Sequence, residues 1–324
     1  TRNPSDFMTV SLTVLLVNVL LPILVMVGLG ALMNRRGRIQ IDTLNQLTIY
    51  LLVPSFLFEQ VAYSSLTWGD IAEVTWGSAI PVLVLGIILI AVYRLRKYDS
   101  STASALLLGG LVYNAGNFGL PVTELFYRSH PNLFGRPADD GVAVQAMVIM
   151  LSNIAVWMVG YAVIAWGKGQ GIGGLLGFFK LPMIYTVIAA FIVRETGTAL
   201  PQFMLVPLHM LSIATVPVML LTLGAQLARN ARWPQWQLIG PTMAIKLLLL
   251  PATTALVCWA IGIWPWPGAQ LTIAAAAPTA VNTLIISIEL EGDSRTAADC
   301  VFWTTIGSIV TVTCVLILVA QASG

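Results

Sequence analysis

The sequence predicts an all-α integral membrane protein with ten transmembrane helices. Of its 324 residues, 57% are hydrophobic and 9% are charged, and the mean hydropathy is +0.86. Apolar runs of about 20 residues, the length that a helix needs to cross the hydrocarbon core, recur along nearly the whole chain. These observations exclude a soluble domain. They also exclude a membrane β-barrel, because barrel strands alternate in polarity over segments of about 10 residues.

Polar residues and glycine or proline clusters divide the apolar runs into ten predicted helices. The first run lacks a cationic leader and a cleavage site, so we expect it to be a retained span. In chain order the helices are predicted to cover residues 8–33, 41–63, 72–93, 101–127, 138–166, 175–193, 201–228, 236–263, 269–290 and 295–320.

The Lys and Arg residues predict the orientation of these helices. Eleven of the 16 follow odd-numbered helices or lie at the helix ends beside those loops. Because cytoplasmic loops are rich in Lys and Arg, both termini are predicted to be non-cytoplasmic. The basic residues are dispersed in short loops, which argues against a nucleic-acid partner.

Two halves of five helices each indicate an inverted repeat. The Gly-rich segment KGQGIGG, at 168–174, is predicted to be a cytoplasmic link between a first repeat at 1–167 and a second at 175–324. An odd number of helices per repeat inserts the second copy upside down. The second and seventh helices each carry a proline near the middle, Pro54 and Pro217, and the fourth and ninth each contain a polar break.

The break in the fourth helix is the stretch YNAGNFGLP, at 113–121. Gly116 and Gly119 are expected to loosen the helix there. Pro121 removes a hydrogen-bond donor and is expected to push Leu120 out of helical geometry. The break in the ninth helix is APTAVN, at 277–282, where Pro278 interrupts the helix.

Backbone breaks in hydrocarbon persist only where they are buried in protein or line a wet cavity. If the fourth and ninth helices cross at their breaks, the positive ends of half-helices converge and favour an anion such as a carboxylate. The alternative is that the asparagines only cap half-helices. The polar side chains predicted for the site are Asn114, Asn117, Thr279, Asn282 and Thr283.

The stretches NAGNFGLP and APTAVN, with ELEGDSRTAAD and TTIGSIVT near the end of the chain, resemble the auxin efflux carrier family in its bacterial branch. The resemblance implies a ten-helix fold similar to the bile acid:sodium symporters, with the fourth and ninth helices crossing. It implies a scaffold domain of helices 1, 2, 6 and 7, a transport domain of helices 3, 4, 5, 8, 9 and 10, and a homodimer formed through the scaffold. By this resemblance, Asn114 meets the substrate carboxylate and Asn282 is its counterpart.

The resemblance also implies a carrier of small organic anions, auxin-like or mono- and dicarboxylates, with elevator-type alternating access in a bacterial inner membrane. The transport is expected to be proton-linked or uniport. Sodium symport is the disfavoured alternative, since 274–287 contains no carboxylate, although carbonyl, Asn and Thr oxygens could hold an ion. A non-transporting membrane ligand sensor is the other alternative. Proton coupling needs a titratable group in the cavity. The candidate carboxylates are Glu59, Glu124 and Asp299.

Each of these charged residues also has a structural interpretation. Glu59 and Glu124 could be interfacial carboxylates, and Asp299 could favour a helix N-terminus. Lys246 could snorkel to the cytoplasmic edge, or it could be a counter-charge for Asp299 or for the substrate. Gln145 could line the cavity or bond between helices. The sequence contains no metal-ligand cluster, cofactor motif or catalytic pairing, so an enzyme is not predicted.

Overall fold

The computed structural model describes residues 15–156, 182–230, 233–289 and 291–322, and within these ranges the regular structure is helical. The predicted all-α class is therefore confirmed. The helices are α1 Val17–Arg35, α2 Ile41–Ala62, α3 Trp68–Leu95, α4 Ser100–Leu111, α5 Leu120–Ser129, α6 Ala138–Ile154, α7 Pro182–Thr196, α8 Gln202–Asn230, α9 Trp236–Ala260, α10 Gly268–Ala276, α11 Val281–Glu289 and α12 Ser294–Gln321.

Six of these helices, α1, α2, α3, α8, α9 and α12, are long and apolar enough to cross a membrane. The predicted fourth helix is divided into α4 and α5, and the predicted ninth into α10 and α11. The predicted link at 168–174, the end of the fifth helix and the start of the sixth lie outside the described residues. Ten crossings and an inverted repeat stay predictions.

The third helix begins earlier than predicted, at Trp68 rather than at residue 72. Thr67 and Asp70 form a capping box there, in which each side chain accepts a hydrogen bond from the other residue's backbone N–H. This exchange satisfies helix-terminal donors and so starts the helix one turn before the apolar run.

Four prolines follow a widened turn of π-helix. The turns are Leu16–Leu20, Thr48–Leu52, Ala115–Gly119 and Ile245–Leu249, and in each case the proline stands two residues later. Proline has no N–H and its ring clashes with the carbonyl four residues before it. Widening the preceding turn relieves this clash without ending the helix. Pro217, the predicted counterpart of Pro54, instead lies within the continuous helix α8.

Two groups of helices pack around the breaks. In the first, α8 lies against α1 and α2, and α7 lies against α2. A Cβ atom on Gly30 would overlap the Leu221 carbonyl, and one on Gly224 would overlap the Val27 carbonyl, so glycine allows α1 and α8 this close approach. The second group contains α3 to α6 and α9 to α12. Every residue of α10 is buried within it.

Candidate functional site

The two helix breaks lie against each other. The first leaves helical geometry over residues 112–114, and the second over residues 277–280. Tyr113 and Thr279 form an isolated antiparallel bridge between them. The N–H of Asn114 donates to the Pro278 carbonyl (2.7 Å), and the N–H of Ala280 donates to the Val112 carbonyl (3.2 Å). Each break thus supplies backbone partners that the other lost from its helix.

The first break lies earlier in the chain than predicted. Leu120 has helical dihedral angles (φ −61°, ψ −50°), so the prediction that Pro121 displaces it is wrong. The π-helical turn before Pro121 accommodates the ring, and Gly116 and Gly119 belong to that turn rather than to the extended part. A Cβ on Gly119 would lie 2.7 Å from Gln145 Nε2, so a larger residue here would displace the Gln145 amide.

Gln145 bonds between helices and is not among the residues that line the central cavity described below. Its Nε2 donates to the Ala115 carbonyl (2.7 Å), and its Oε1 accepts a hydrogen bond from Gln270 Nε2 (2.8 Å). Gln270 Nε2 also donates to Thr123 Oγ1 (2.9 Å). Of the two interpretations of Gln145, the interhelical one matches this network, which holds the first break in place. Gln270 has no local sequence signal, since its role depends on two distant helices.

The threonines of the second break bond within the fold. Thr279 is fully buried. Its N–H donates to Thr304 Oγ1 (2.9 Å) and its Oγ1 donates to the Gly109 carbonyl (2.5 Å). Thr283 Oγ1 donates to the Ala280 carbonyl (2.7 Å). Both hydroxyl groups therefore satisfy backbone carbonyls near the break.

A cavity of about 80 Å³ lies beside the paired breaks, and we call it the central cavity. Among the predicted site residues, it is lined by Asn114, Gly116, Asn117 and Asn282. Gly119, Pro121, Pro278, Thr279 and Thr283 are not part of its lining. The remaining lining residues are Asn45, Thr48, Ile49, Val53, Tyr113, Ala115, Ile149, Ser152, Asn153, Val156, Met219, Gln226, Ala280, Val281 and Ile285.

The side-chain amide of Asn114 is an unused hydrogen-bond donor in this lining. The residue is 5% exposed, and its Nδ2 bonds to no described residue. The other asparagine of the predicted pair differs, since Asn282 Nδ2 donates to Asn153 Oδ1 (2.9 Å). A buried amide without a partner costs free energy. Asn114 is therefore poised to donate to a group inside the cavity.

The electrostatics of the central cavity come from the backbone. The described lining contains no charged side chain. The π-helical turn that leads into α5, at Ala115, and the start of α11, at Val281, both border the cavity. The first N–H groups of a helix have no partner within it and carry a partial positive charge. Two such ends around one uncharged cavity favour an anion.

Two larger cavities lie toward opposite ends of the molecule. The first, the Arg229 cavity, has a volume of about 430 Å³ and shares Asn45, Gln226, Val281 and Ile285 with the central cavity. The second, the Glu124 cavity, has a volume of about 560 Å³, and its described lining has no residue in common with that of the central cavity. Of the two larger cavities, the Arg229 cavity alone shares described lining residues with the central cavity.

The predicted coupling carboxylates lie away from the central cavity. Glu59 and Glu124 both line the Glu124 cavity. Glu59 Oε1 is 2.6 Å from His209 Nδ1, and Glu124 Oε1 is 2.5 Å from the guanidinium of Arg128. Asp299 is buried on α12 and lies in the described lining of none of the three cavities.

Lys246 lies beside the breaks rather than at a membrane edge. Its side chain is fully buried, so the interpretation that it snorkels to the cytoplasmic edge is wrong. Its Nζ donates to the Ala275 carbonyl (2.9 Å), in the last turn of α10, and is 5.0 Å from the ring centre of Tyr113. Lys246 itself lies in the widened turn of α9 at Ile245–Leu249. No described carboxylate lies within 4 Å of Nζ.

Some lining residues were not among the predicted site residues. Asn45 and Thr48 are on α2, and Met219 is on α8. Their local sequences resemble those of ordinary helix interiors, so no sequence signal marks them. In the described part of the chain, no group of three or more His, Cys, Asp or Glu residues could hold a metal ion.

Comparison with known proteins supports a transporter. The family described as "Membrane transport protein" matches residues 174–316. An uncharacterized transporter of Methanocaldococcus jannaschii is 27% identical over 305 residues, which cover 90% of this chain and 94% of the relative. An uncharacterized transporter of Methanothermobacter thermautotrophicus is 25% identical over 304 residues, with the same coverage. The match to this family confirms the resemblance on which the sequence prediction relied.

Proposed function

We propose that this chain, which is similar to the family described as "Membrane transport protein" over residues 174–316, is a secondary carrier of small organic anions. The observation that carries this proposal is the unpartnered Asn114 amide, which borders a cavity with two half-helix N-termini. A carboxylate placed there would accept a hydrogen bond from Nδ2 and would be stabilised by the partial positive charge of the two half-helix N-termini.

The shape of the cavities supports a small substrate with one recognised carboxylate. The central cavity, at about 80 Å³, has room for that group. The rest of the substrate extends toward the Arg229 cavity, past the shared side chains of Val281 and Ile285. Auxin-like acids and mono- or dicarboxylates are small molecules with at least one carboxylate. A series of acids of graded size would measure how large a substrate the site accepts.

The packing supports alternating access by movement of one domain against another. Helix α8 packs against α1 and α2, and α7 packs against α2, so these four helices form a connected group that corresponds to the predicted scaffold. The central cavity lies between this group, which contributes Thr48 and Met219, and the group that carries the breaks, which contributes Asn114 and Asn282. We propose that the second group moves as an elevator-type transport domain, and that the scaffold forms a homodimer.

The side on which the cavity opens suggests which state the structure represents. The Arg229 end is cytoplasmic in the predicted orientation, so this is an inward-facing state in our proposal. The described central cavity lacks a carboxylate, which favours proton-linked transport or uniport over sodium symport.

A binding assay tests the site. Purified protein is heated with acetate, succinate, benzoate or indole-3-acetate over a range of concentrations. A ligand that binds only the folded state raises the melting temperature increasingly as its concentration exceeds Kd. We expect at least one acid to stabilise the wild type and Asn34→Ala, a control in the last turn of α1, but not Asn114→Ala. Equal stabilisation of Asn114→Ala would remove the site assignment.

A flux assay tests the function. The protein is reconstituted into liposomes, and uptake of the acid that binds is followed under a pH gradient, a sodium gradient or none. Uptake driven by the pH gradient supports a proton-linked carrier, and flux that ignores both gradients supports a uniporter. Sodium-driven uptake would establish the symporter alternative, and binding without flux would establish a ligand sensor.

A further inference from the structure

Lys246 is a buried amine that forms no ion pair with a carboxylate in the described part of the chain. Its contacts are the Ala275 carbonyl, 2.9 Å from Nζ, and the face of the Tyr113 ring, 5.0 Å away. Ala275 is in the last turn of α10, where the helix dipole leaves a partial negative charge. A carbonyl and a ring face stabilise an ammonium weakly compared with a carboxylate.

The elements around Lys246 carry few titratable groups. Helices α4 and α10, which pack against its turn, carry none. Helix α12, which also packs there, carries Arg295, Asp299, Cys300 and Cys314, and the first break carries Tyr113. Neither Asp299 nor any other described carboxylate is within 4 Å of Nζ, so the possible pairing with Asp299 is not formed as an ion pair.

Tyr113 connects this amine to the central cavity. Its ring contacts Nζ, and the same residue lines the cavity next to Asn114. An anion held by Asn114 would therefore lie beside the residue whose ring Nζ contacts. In the interior of a protein, charges separated by one side chain interact strongly because little water screens them.

Resting on the proposed function, we infer that Lys246 is the proton-carrying counter-charge of the substrate. With the cavity empty, the amine is neutral and still donates to Ala275, because an unpaired buried charge is costly. When the anion binds, the nitrogen lone pair takes a proton from water on the loading side, and an ammonium forms beside Tyr113, near the carboxylate. When the anion leaves on the other side, the ammonium returns this proton to water. One proton crosses with each anion.

This inference assigns coupling to the centre of the molecule rather than to Glu59 or Glu124. Those carboxylates line the Glu124 cavity, which shares no described lining residue with the central cavity. Lys246 differs from them in its position beside the breaks, where a change of charge acts on the bound anion directly.

The test measures proton uptake on binding. Acetate and succinate are titrated calorimetrically into the purified protein in buffers of different ionisation enthalpy, which gives the number of protons taken up per anion. We expect about one proton for the wild type, and affinity that falls by up to about tenfold per pH unit in alkaline solution. Lys246→Met, similar in volume, should take up about zero protons and bind with pH-independent affinity. Lys97→Met, in an exposed loop, is the matched control and should equal the wild type.

A second variant separates charge from packing. Lys246→Gln keeps a donor for the Ala275 carbonyl but does not titrate, so it should behave as Lys246→Met does. Proton uptake retained in both variants, or absent in the wild type, overturns the inference while leaving the anion site intact. If neither acid binds the wild type and the wider acid series also fails, the proposed function itself is overturned. Loss of proton uptake in Glu124→Gln, with normal uptake in Lys246→Gln, assigns the proton to Glu124 and overturns the inference.

Discussion

The two helix breaks pair with each other, yet they differ in how their polar groups are satisfied. In the second break, both the N–H and the hydroxyl of Thr279 are bonded within the fold. In the first, the backbone of Asn114 is bonded but its side-chain amide is not. The comparison teaches that a polar residue in a break is structural when its partners are internal. It becomes a candidate ligand group when a buried donor is left over.

The largest expected effect comes from placing a negative charge at the free donor. Asn114→Asp has nearly the same shape as the wild type but replaces the donor with a carboxylate in an uncharged cavity. We expect loss of at least about 100-fold in affinity for acetate or succinate, because a hydrogen bond to a charged group is replaced by charge repulsion. Calorimetric titration measures the affinity. Unchanged affinity would show that the first break is as structural as the second.

A substitution in the second break should lower the stability of the protein. Thr279→Val keeps the side-chain shape but leaves the Gly109 carbonyl without its hydroxyl donor. An unsatisfied buried carbonyl costs about 1–3 kcal/mol. We therefore expect a lower unfolding temperature in detergent. Asn114→Ala removes a group with no partner and should change stability much less, and the reverse order of stabilities would contradict the comparison.

Asn282 tests whether the predicted pair of asparagines acts as a pair. Its amide already donates to Asn153 Oδ1 at 2.9 Å. Asn282→Ala removes one partly buried neutral hydrogen bond, worth about 1 kcal/mol of stability. We expect anion affinity to change by less than about tenfold. A loss as large as that of Asn114→Asp would mean that Asn282 releases Asn153 and turns to the substrate on binding.

The smallest effect is expected at the far end of the first broken helix. Asp99 caps α4 by accepting the N–H of Thr102 (2.9 Å), whereas α10 begins without a side-chain cap. That backbone hydrogen bond lowers the pKa of Asp99 below its ordinary value of 3.8.

The stabilisation by Asp99 is thus present above pH 3.8 and is lost as the pH falls through the lowered pKa. Asp99→Ala should cost about 1 kcal/mol at neutral pH. Asp99→Asn, which retains a capping oxygen, is the matched control. Thermal unfolding of both variants is measured at neutral pH and at a pH below the lowered pKa of Asp99. If Asp99→Ala lost as much stability at the acid pH as at neutral pH, the capping role would be contradicted.

The sequence predicted both breaks but not the exact residues that leave the helix. YNAGNFGLP marks the first break, yet the extended part is residues 112–114, because a π-helical turn absorbs Pro121 and keeps Leu120 helical. For the second break, the predicted stretch APTAVN begins at the residue where the helix actually ends, because Ala277, next to Pro278, already has extended backbone angles. A proline constrains only its immediate neighbours, whereas the exact residues of the first break depend on pairing with the second.

The wrong interpretation of Lys246 has a similar cause. On one helix, a lysine in an apolar run can reach a membrane edge, so snorkelling is reasonable from local sequence. The widened turn of α9 and the end of α10 instead place Nζ on the Ala275 carbonyl. The surroundings of Nζ are formed by α9, the end of α10 and Tyr113 of the first break, which are distant in sequence. Local sequence therefore could not predict this contact.

By itself, the sequence determined that the chain is helical, which runs are apolar enough to span a membrane and where two of them break. The hydrocarbon core of the membrane imposes this helical pattern, because each backbone polar group must be hydrogen-bonded within its own helix unless a break is buried. Only the tertiary structure decided which of the polar side chains in the two breaks is left without a partner. The donor at Asn114 is free, and those at Asn282 and Thr279 are used, because hydrogen-bond partners come from other helices.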